Sequence, residues 1–411
     1  MIGTLQQADA PDRNNALTVL QAFLPKAGEN YAQLRNFDRG TGMESCTVSA
    51  LSPFIRRRIL TEEEVLRATL GFHSPRTAGK FIQEVFWRSY WKGWLELRPT
   101  VWRDYRQEVE RQLNRIQSEG GLRQMWQDAC AGDTGIACFD AWARELAQTG
   151  YLHNHARMWF ASIWVFTLGL PWALGADFFL RHLRDGDPAS NTLSWRWVAG
   201  LHTQGKHYVA SAQNIAKFTE GRFFPSGQLA QDPAPLPWQA PPAPRSLAPT
   251  LAVQTGLRTG LLVHDEDVAL DQALRTCPEP VAVGRMNSAR HLSPLIVAPI
   301  VTDWAEGAIT HALAAHPQLA PATTVTPETI AEWAESEGLE QIVTPYAPTG
   351  PVAEAFTAAQ PTLEAAGIRL CQIRRTYDSR AWPFATHGFF RFKDQIPALL
   401  TALDAPDHSA A

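Results

Sequence analysis

Cysteine is scarce. The 411 residues hold five, at 46, 130, 138, 277 and 371, and none stands in a Cys-x-x-Cys pair. An odd, scattered set argues against a disulfide framework, a metal site and an iron–sulfur cluster, and it suits a reducing compartment. Long apolar runs are missing as well. The most apolar stretch, Met158 to Leu170, is too short to span a bilayer and has charges around it, so it reads as a buried helix. No basic-then-apolar leader opens the chain, and the expectation is a cytoplasmic protein without a membrane partner. Neither a Gly-x-Gly-x-x-Gly nor a Walker sequence marks a phosphate loop, and there is no internal repeat. Charge of one sign is not in excess either: a net −4 does not suggest a general nucleic-acid binder. The balance is uneven, with 26 Lys+Arg against 23 Asp+Glu in residues 1–235 and 11 against 18 in 236–411. An anionic polymer would bind the first part.

What is present is a chain with 45% hydrophobic residues, enough for a sizeable core and two or three domains. Apolar periodicity predicts helices over 14–35, 61–71, 76–97, 101–118, 137–151, 153–168, 173–184 and 207–219. Thr61 followed by Glu62, Glu63 and Glu64 is a helix start, with acids at the positive end of the dipole. Residues 225–249 are rich in Pro and Ala and read as an extended linker. Beyond 250, short apolar runs at 260–263, 281–283, 341–343 and 369–373 alternate with helical stretches at 267–275, 304–315, 327–337 and 352–366. That alternation predicts βαβ units and a parallel sheet with helices on both faces. The expected division is 1–224 helical, 225–254 linker and 255–411 α/β.

Four segments concentrate chemistry. In Cys46-Thr-Val-Ser-Ala-Leu-Ser-Pro53, hydroxyls at 47, 49 and 52 precede a helix, which suits a phosphate or a plain capping turn. In the segment 81–91, Glu84, Trp87, Arg88 and Trp91 share one helical face. A packed amphipathic helix with a Glu84–Arg88 pair is the bland alternative. Asn154, Arg157 and Met158 share another face, and a buried Arg157 needs an acidic partner, for which Asp185 and Asp187 are candidates. Last comes Asp185-Gly-Asp-Pro-Ala-Ser-Asn191, then Trp195-Arg-Trp197. Ionisable groups, amides and indoles in so few residues suit a site for a polar, planar, redox-active ligand. Arg56, Arg57, Arg58 and Lys92 are either phosphate contacts or a solvated face.

In this order and spacing, the four segments resemble the FAD-binding domain of the photolyase/cryptochrome family, over roughly residues 26–230. The resemblance implies an all-helical FAD-binding domain followed by a Rossmann-like parallel-sheet α/β domain. The family's order, with its α/β antenna domain first, is then reversed here. It implies FAD held by Thr47, Val48, Ser49, Leu51, Ser52, Arg88, Asn154, Arg157, Asp185, Asp187 and Asn191. Arg157 and Asp185 would pair beside the flavin, and Asn191 would face its N5. Trp195 and Trp172 match the first two members of the family's electron-transfer chain. The third has no Trp at the expected place, and Trp126, Trp159 and Trp164 are candidate substitutes. Glu84, Trp87, Asn154, His155, Met158 and Trp197 match positions lining the pyrimidine-dimer pocket, with His155 replacing an arginine common in the bacterial repair enzymes.

The implied activity is light-driven repair of UV-damaged DNA, in which reduced FAD donates an electron to a flipped-out pyrimidine dimer. Glu84, Asn191, Trp195 and Trp172 are the implied catalytic residues of a deoxyribodipyrimidine photo-lyase acting as a monomer. The alternatives are a cryptochrome-like blue-light photoreceptor without repair and a flavoprotein without photochemistry. No folate or deazaflavin site is identifiable, so a second antenna chromophore stays open.

Overall fold

The computed structural model describes residues 10–40, 47–277, 279–319 and 321–404. Cys46, at the head of the hydroxyl-rich loop, lies outside these. The longer helices are α1 (Arg13–Phe23), α2 (Glu62–Phe72), α3 (Gly79–Glu96), α4 (Thr100–Ser118), α5 (Gly120–Ala131) and α6 (Ala137–Thr149). They continue with α7 (Asn154–Ser162), α8 (Trp172–His182), α9 (Pro188–Val198), α10 (Pro299–Ala314) and α11 (Pro351–Ala365). The strands are β1 (Thr259–His264), β2 (Ala282–Met286), β3 (Thr323–Thr324), β4 (Gln341–Pro345) and β5 (Arg369–Ile373).

Local chemistry explains the boundaries. Thr61 caps α2 through a capping box: its hydroxyl accepts from Glu64 N (3.3 Å) while its own N–H donates to the Glu64 carboxylate (2.8 Å). α5 and α6 end on Gly132 and Gly150 in the left-handed region (φ +70° and +67°), which glycine adopts without a Cβ penalty. Asp187 caps α9 by accepting from Ser190 N (2.8 Å), and Pro188 fills the first helical position. The single helix expected over 153–168 divides: beyond Ser162 the chain widens into a π turn at Ile163–Thr167. Helices α5 and α9 and the two-residue β3 were not anticipated.

The sheet is wholly parallel, in the order β3-β2-β1-β4-β5. β1 has five of its six residues buried and β4 is buried throughout, as expected of central strands covered on both faces. The order reverses between β1 and β4, so the crevice beyond their carboxyl ends is the topological switch point. Among the described residues no helix is long and apolar enough to cross a membrane.

The two halves meet at that crevice. Asp265, Glu266 and Asp267, which follow β1, take the three arginines that follow Ser52–Ile55. Arg57 pairs with Asp265, Arg56 Nη1 with Glu266 (2.7 Å), and Arg58 Nη1 with Asp267 (2.7 Å). After β4, the Tyr346 hydroxyl donates to Glu96 at the end of α3 (2.9 Å), and Thr349 N and Oγ1 donate to the same carboxylate (2.8 Å each). Beyond β5 the chain returns to the helical half. Tyr377 and Ser89 share a hydroxyl bond (2.7 Å), and Tyr90 donates to the His387 carbonyl (2.8 Å). Trp382 covers Gly93, where a Cβ would lie 2.9 Å from the tryptophan Cα.

Candidate functional site

The segments singled out above lie on helices that pack on one another. α9 packs against both α3 and α7, which brings Asn191 and Trp195 toward the helices carrying Glu84, Trp87 and Arg88 and carrying Asn154, Arg157 and Met158. Arg157 Nη2 lies 2.9 Å from Asp185 Oδ2, and Arg157 Nε donates to the Leu152 carbonyl (2.8 Å). The other Asp185 oxygen is buried with no partner among the described residues. Asn191 is 8% exposed and donates through Nδ2 to the Ala176 carbonyl (2.8 Å), so its Oδ1 is left to accept.

Asp187 differs from Asp185. Its Oδ1 caps α9, and its Oδ2 lies 2.8 Å from Lys92 Nζ, 3.5 Å from Arg88 Nη1 and 3.6 Å from Arg56 Nε. Burial alone would push this carboxyl up, but Lys92, Arg88 and Arg56 override it and hold it well below the usual range. Arg88 also donates to Glu62 (2.8 Å), and Lys92 to Glu266 (2.5 Å). Glu62 and Glu266 are both buried, which would raise them, yet their cations hold each at about 2. Five cations (Arg56, Arg57, Arg58, Arg88, Lys92) thus meet six carboxylates (Glu62, Asp187, Asp265, Glu266, Asp267, Asp378), and Arg375, paired with Glu63 (3.3 Å), lies near Asp267 and Asp378. Arg56, Arg57, Arg58 and Lys92 are at most 4% exposed. They are therefore neither a solvated face nor phosphate contacts: the acidic run after β1 neutralises them inside the protein.

Glu84 pairs with Arg35, not with Arg88, and burial raises its carboxyl above the ordinary range against the pull of Arg35. Trp87 is partly exposed. One side of its indole stacks on Phe389 (centroids 3.6 Å apart, planes at 11°), and Trp91 leans on it at 5.2 Å. His155 stacks on Trp159 (4.3 Å) and holds the Asn36 carbonyl through Nδ1 (3.1 Å). Asn154 is exposed and Met158 half-buried. Trp197 is half-buried and faces Tyr208 (6.0 Å). In the hydroxyl-rich loop, Thr47 donates to the Phe37 carbonyl (2.8 Å), which commits its proton. Val48 and Ser49 are half-buried, Leu51 is buried, and Ser52 is exposed at the start of the Ser52–Arg56 turn.

Trp195 is 2% exposed and rests on α8 where Gly175 leaves room: a Cβ there would lie 2.3 Å from Trp195 Cη2. Trp172 opens the same helix, one turn earlier. Sequence reasoning missed Arg35, Glu62 and Phe389. Arg35 and Phe389 reach Glu84 and Trp87 from distant segments, and no spacing marks such partners. Glu62 was seen only as part of the α2 start.

The residues present fit a flavin. An unpartnered, buried Asp185 oxygen and the free Asn191 Oδ1 offer acceptors, and Arg157, partly exposed, offers donors. Residues 81–227 match the family model described as the FAD binding domain of DNA photolyase. The deoxyribodipyrimidine photo-lyase of Streptomyces griseus is 35% identical over 161 residues, 38% of this chain and 32% of that protein. Its Vibrio cholerae counterpart is 27% identical over 232 residues, 54% of this chain and 46% of that protein. A bacterial class III photolyase from Agrobacterium tumefaciens aligns with 26% identity over 51% of this chain and 43% of its own, at a TM-score of 0.41. The chain thus spans between a third and a half of the length of these relatives. The class defined by these matches is that of helical FAD-binding domains. Over residues 81–227 the chain is thus similar to the FAD-binding domain of DNA photolyase, and an α/β domain follows the helical one.

Proposed function

We propose that this chain is a light-driven DNA repair enzyme that splits UV-induced pyrimidine dimers. The observation that supports the reading is the packing of α9 against both α3 and α7, the three helices that carry Glu84 and Trp87, Asn154, Arg157 and Met158, and Asn191. Reduced FAD, when bound, supplies an excited-state electron to the dimer. The chain's own residues hold and shield. Val48, Ser49, Leu51 and Ser52 take the phosphate side, with Thr47 behind them, and Arg88, Asp187, Asn154, Arg157 and Asp185 frame the pocket. Asn191, whose Nδ2 is committed to the Ala176 carbonyl, would offer Oδ1 to a flavin held there. Glu84, held in place by Arg35, would offer its carboxyl group to hydrogen-bond the dimer. Trp87, with one face held by Phe389, and Trp197 present flat apolar surfaces to extruded bases. His155 and Met158 close the rim. Trp195 and Trp172 would be the residues through which electrons reach a bound flavin.

The division into residues 1–224, 225–254 and 255–411, a monomeric state and a cytoplasmic location belong to the same proposal. One observation favours the second reading, a cryptochrome-like photoreceptor: four basic residues that would have met DNA phosphates are buried at the junction of the halves. The deciding experiment uses purified protein. Blue light and a reductant are applied, oligo(dT) carrying UV-made dimers is added, and recovery of thymine absorbance is followed. Recovery in the light alone supports repair. Photoreducible FAD without recovery moves the protein to the photoreceptor class.

A further inference from the structure

We infer that the electron route to the flavin runs from Trp102 by way of Tyr105 to Trp172 and Trp195, and that the hole it leaves is trapped on Trp102 by loss of the indole proton to Glu354. The inference rests on the photochemical reading above.

Ring contacts trace the route from Trp102 through Tyr105 to Trp172, and packing of α8 on α9 carries it on to Trp195. Trp172 and Gly175 share a face of α8, and the Trp195 ring lies on Gly175. Arg196, next to Trp195, holds its guanidinium 5.8 Å from the Trp172 centroid. On the other side of Trp172 stands Tyr105 (5.7 Å), and beyond it Trp102 (5.3 Å), both 2% exposed and both on α4. Two of the anticipated substitutes, Trp164 and Trp159, offer no such path. Trp164 touches Trp195 at 6.2 Å, but its other ring neighbours are Phe139, Phe160 and Phe178 and its N–H donates to the neutral Pro171 carbonyl (2.9 Å). Trp159 faces Trp142 and His155 and donates to Asn214 (2.9 Å).

Trp102 has what the others on the route lack. Its Nε1–H donates to Glu354 Oε1 at 2.8 Å, across the boundary from α11 of the α/β half. Glu354 is exposed, so a proton received there passes to water. The Arg106 guanidinium lies 5.7 Å from the Trp102 ring and disfavours a second positive charge on it, which favours a neutral radical over a radical cation. Tyr105 acts as the bridge. Its buried hydroxyl has no partner among the described residues, so an oxidised phenol there has no group to take its proton. The balance is simple. Trp195 gives one electron to the light-excited flavin, Trp172 refills Trp195, and Trp102 refills Trp172 through Tyr105. Trp102 ends short of one electron and of its Nε1 proton, which Glu354 takes. A thiol or other one-electron donor in solution later returns the electron, and water returns the proton.

The test is transient absorption on flavin-loaded wild type, W102F, E354Q, W164F and W195F. Wild type should form a deprotonated tryptophan radical, with a solvent deuterium isotope effect on its formation. E354Q should leave the radical protonated and shorten the charge-separated state about tenfold, the worth of a hydrogen bond to a charged group. W102F should shorten it similarly, and W195F should abolish it. In flavin-free protein, the Trp102 indole N–H resonance should shift in E354Q, showing the bond without any photochemistry. Wild-type lifetimes and protonation in both W102F and E354Q overturn the relay while leaving flavin photoreduction standing. A tenfold loss in W164F with none in W102F overturns it in favour of Trp164. A wild-type chain that takes up flavin but does not photoreduce overturns the relay and the functional reading together.

Discussion

Replacing Asp187 with asparagine isolates the charge that holds the site to the α/β half. The side chain is 1% exposed and has two separate duties. Oδ1 caps α9, which asparagine does equally well, so the roughly 1 kcal/mol of a cap is retained. Oδ2 is the anion among Lys92, Arg88 and Arg56, at 2.8, 3.5 and 3.6 Å, and an amide cannot supply it. Removing one member of a buried ion pair costs about 3–5 kcal/mol, because the remaining charge is left in low dielectric. Here each cation keeps a second carboxylate: Glu266 for Lys92 (2.5 Å) and Arg56 (2.7 Å), and Glu62 for Arg88 (2.8 Å). The expected loss is therefore at the lower end, about 3 kcal/mol. Urea unfolding of the flavin-free protein, followed by circular dichroism, measures it without the linkage a bound cofactor adds. The midpoint should fall with the slope unchanged. A loss below about 1 kcal/mol, the value of a surface pair, would refute the argument, because it would mean that water reaches and screens the junction.

Gly175→Ala should displace the Trp195 ring, since the new Cβ would sit 2.3 Å from it; about 1–3 kcal/mol of stability should go, and flavin photoreduction should slow in stopped illumination. Asn191→Ala should change the redox state in which bound flavin is stable, read from the absorption spectrum during photoreduction; an unchanged spectrum and rate would remove Asn191 from the pocket. Acid should open the junction in a defined window. Glu62 and Glu266, held at about 2 against an ordinary 4.5, contribute stability that is complete above 4.5 and lost as pH falls from there toward 2. Asp378, which burial raises to about 6, works the other way and adds stability as pH falls through 6, so the midpoint in urea should hold near pH 5 and fall steeply below 4.5.

Much of this protein was determined by its sequence alone. Periodicity and caps locate α2, α3, α4 and α6, because Thr61 and Gly150 act within one turn of their own chain. Alternating strand and helix signals past residue 250 identify the parallel sheet, because buried strands need continuous apolar runs. The motif from Asp185 to Trp197 carries the likeness to the photolyase FAD-binding domain, since its turn, cap and indoles lie within a few residues. Pairing across the chain was decided only by the tertiary structure. Arg56, Arg57 and Arg58 look like a solvated basic run until Asp265, Glu266 and Asp267, some 209 residues away in sequence, neutralise them. Glu84 finds Arg35, Trp87 finds Phe389 and Trp102 finds Glu354 in the same way. Charge and stacking act over a few ångströms in space whatever the distance along the chain. Local patterns therefore reveal which elements form, and only folding reveals which side chains are left free to act.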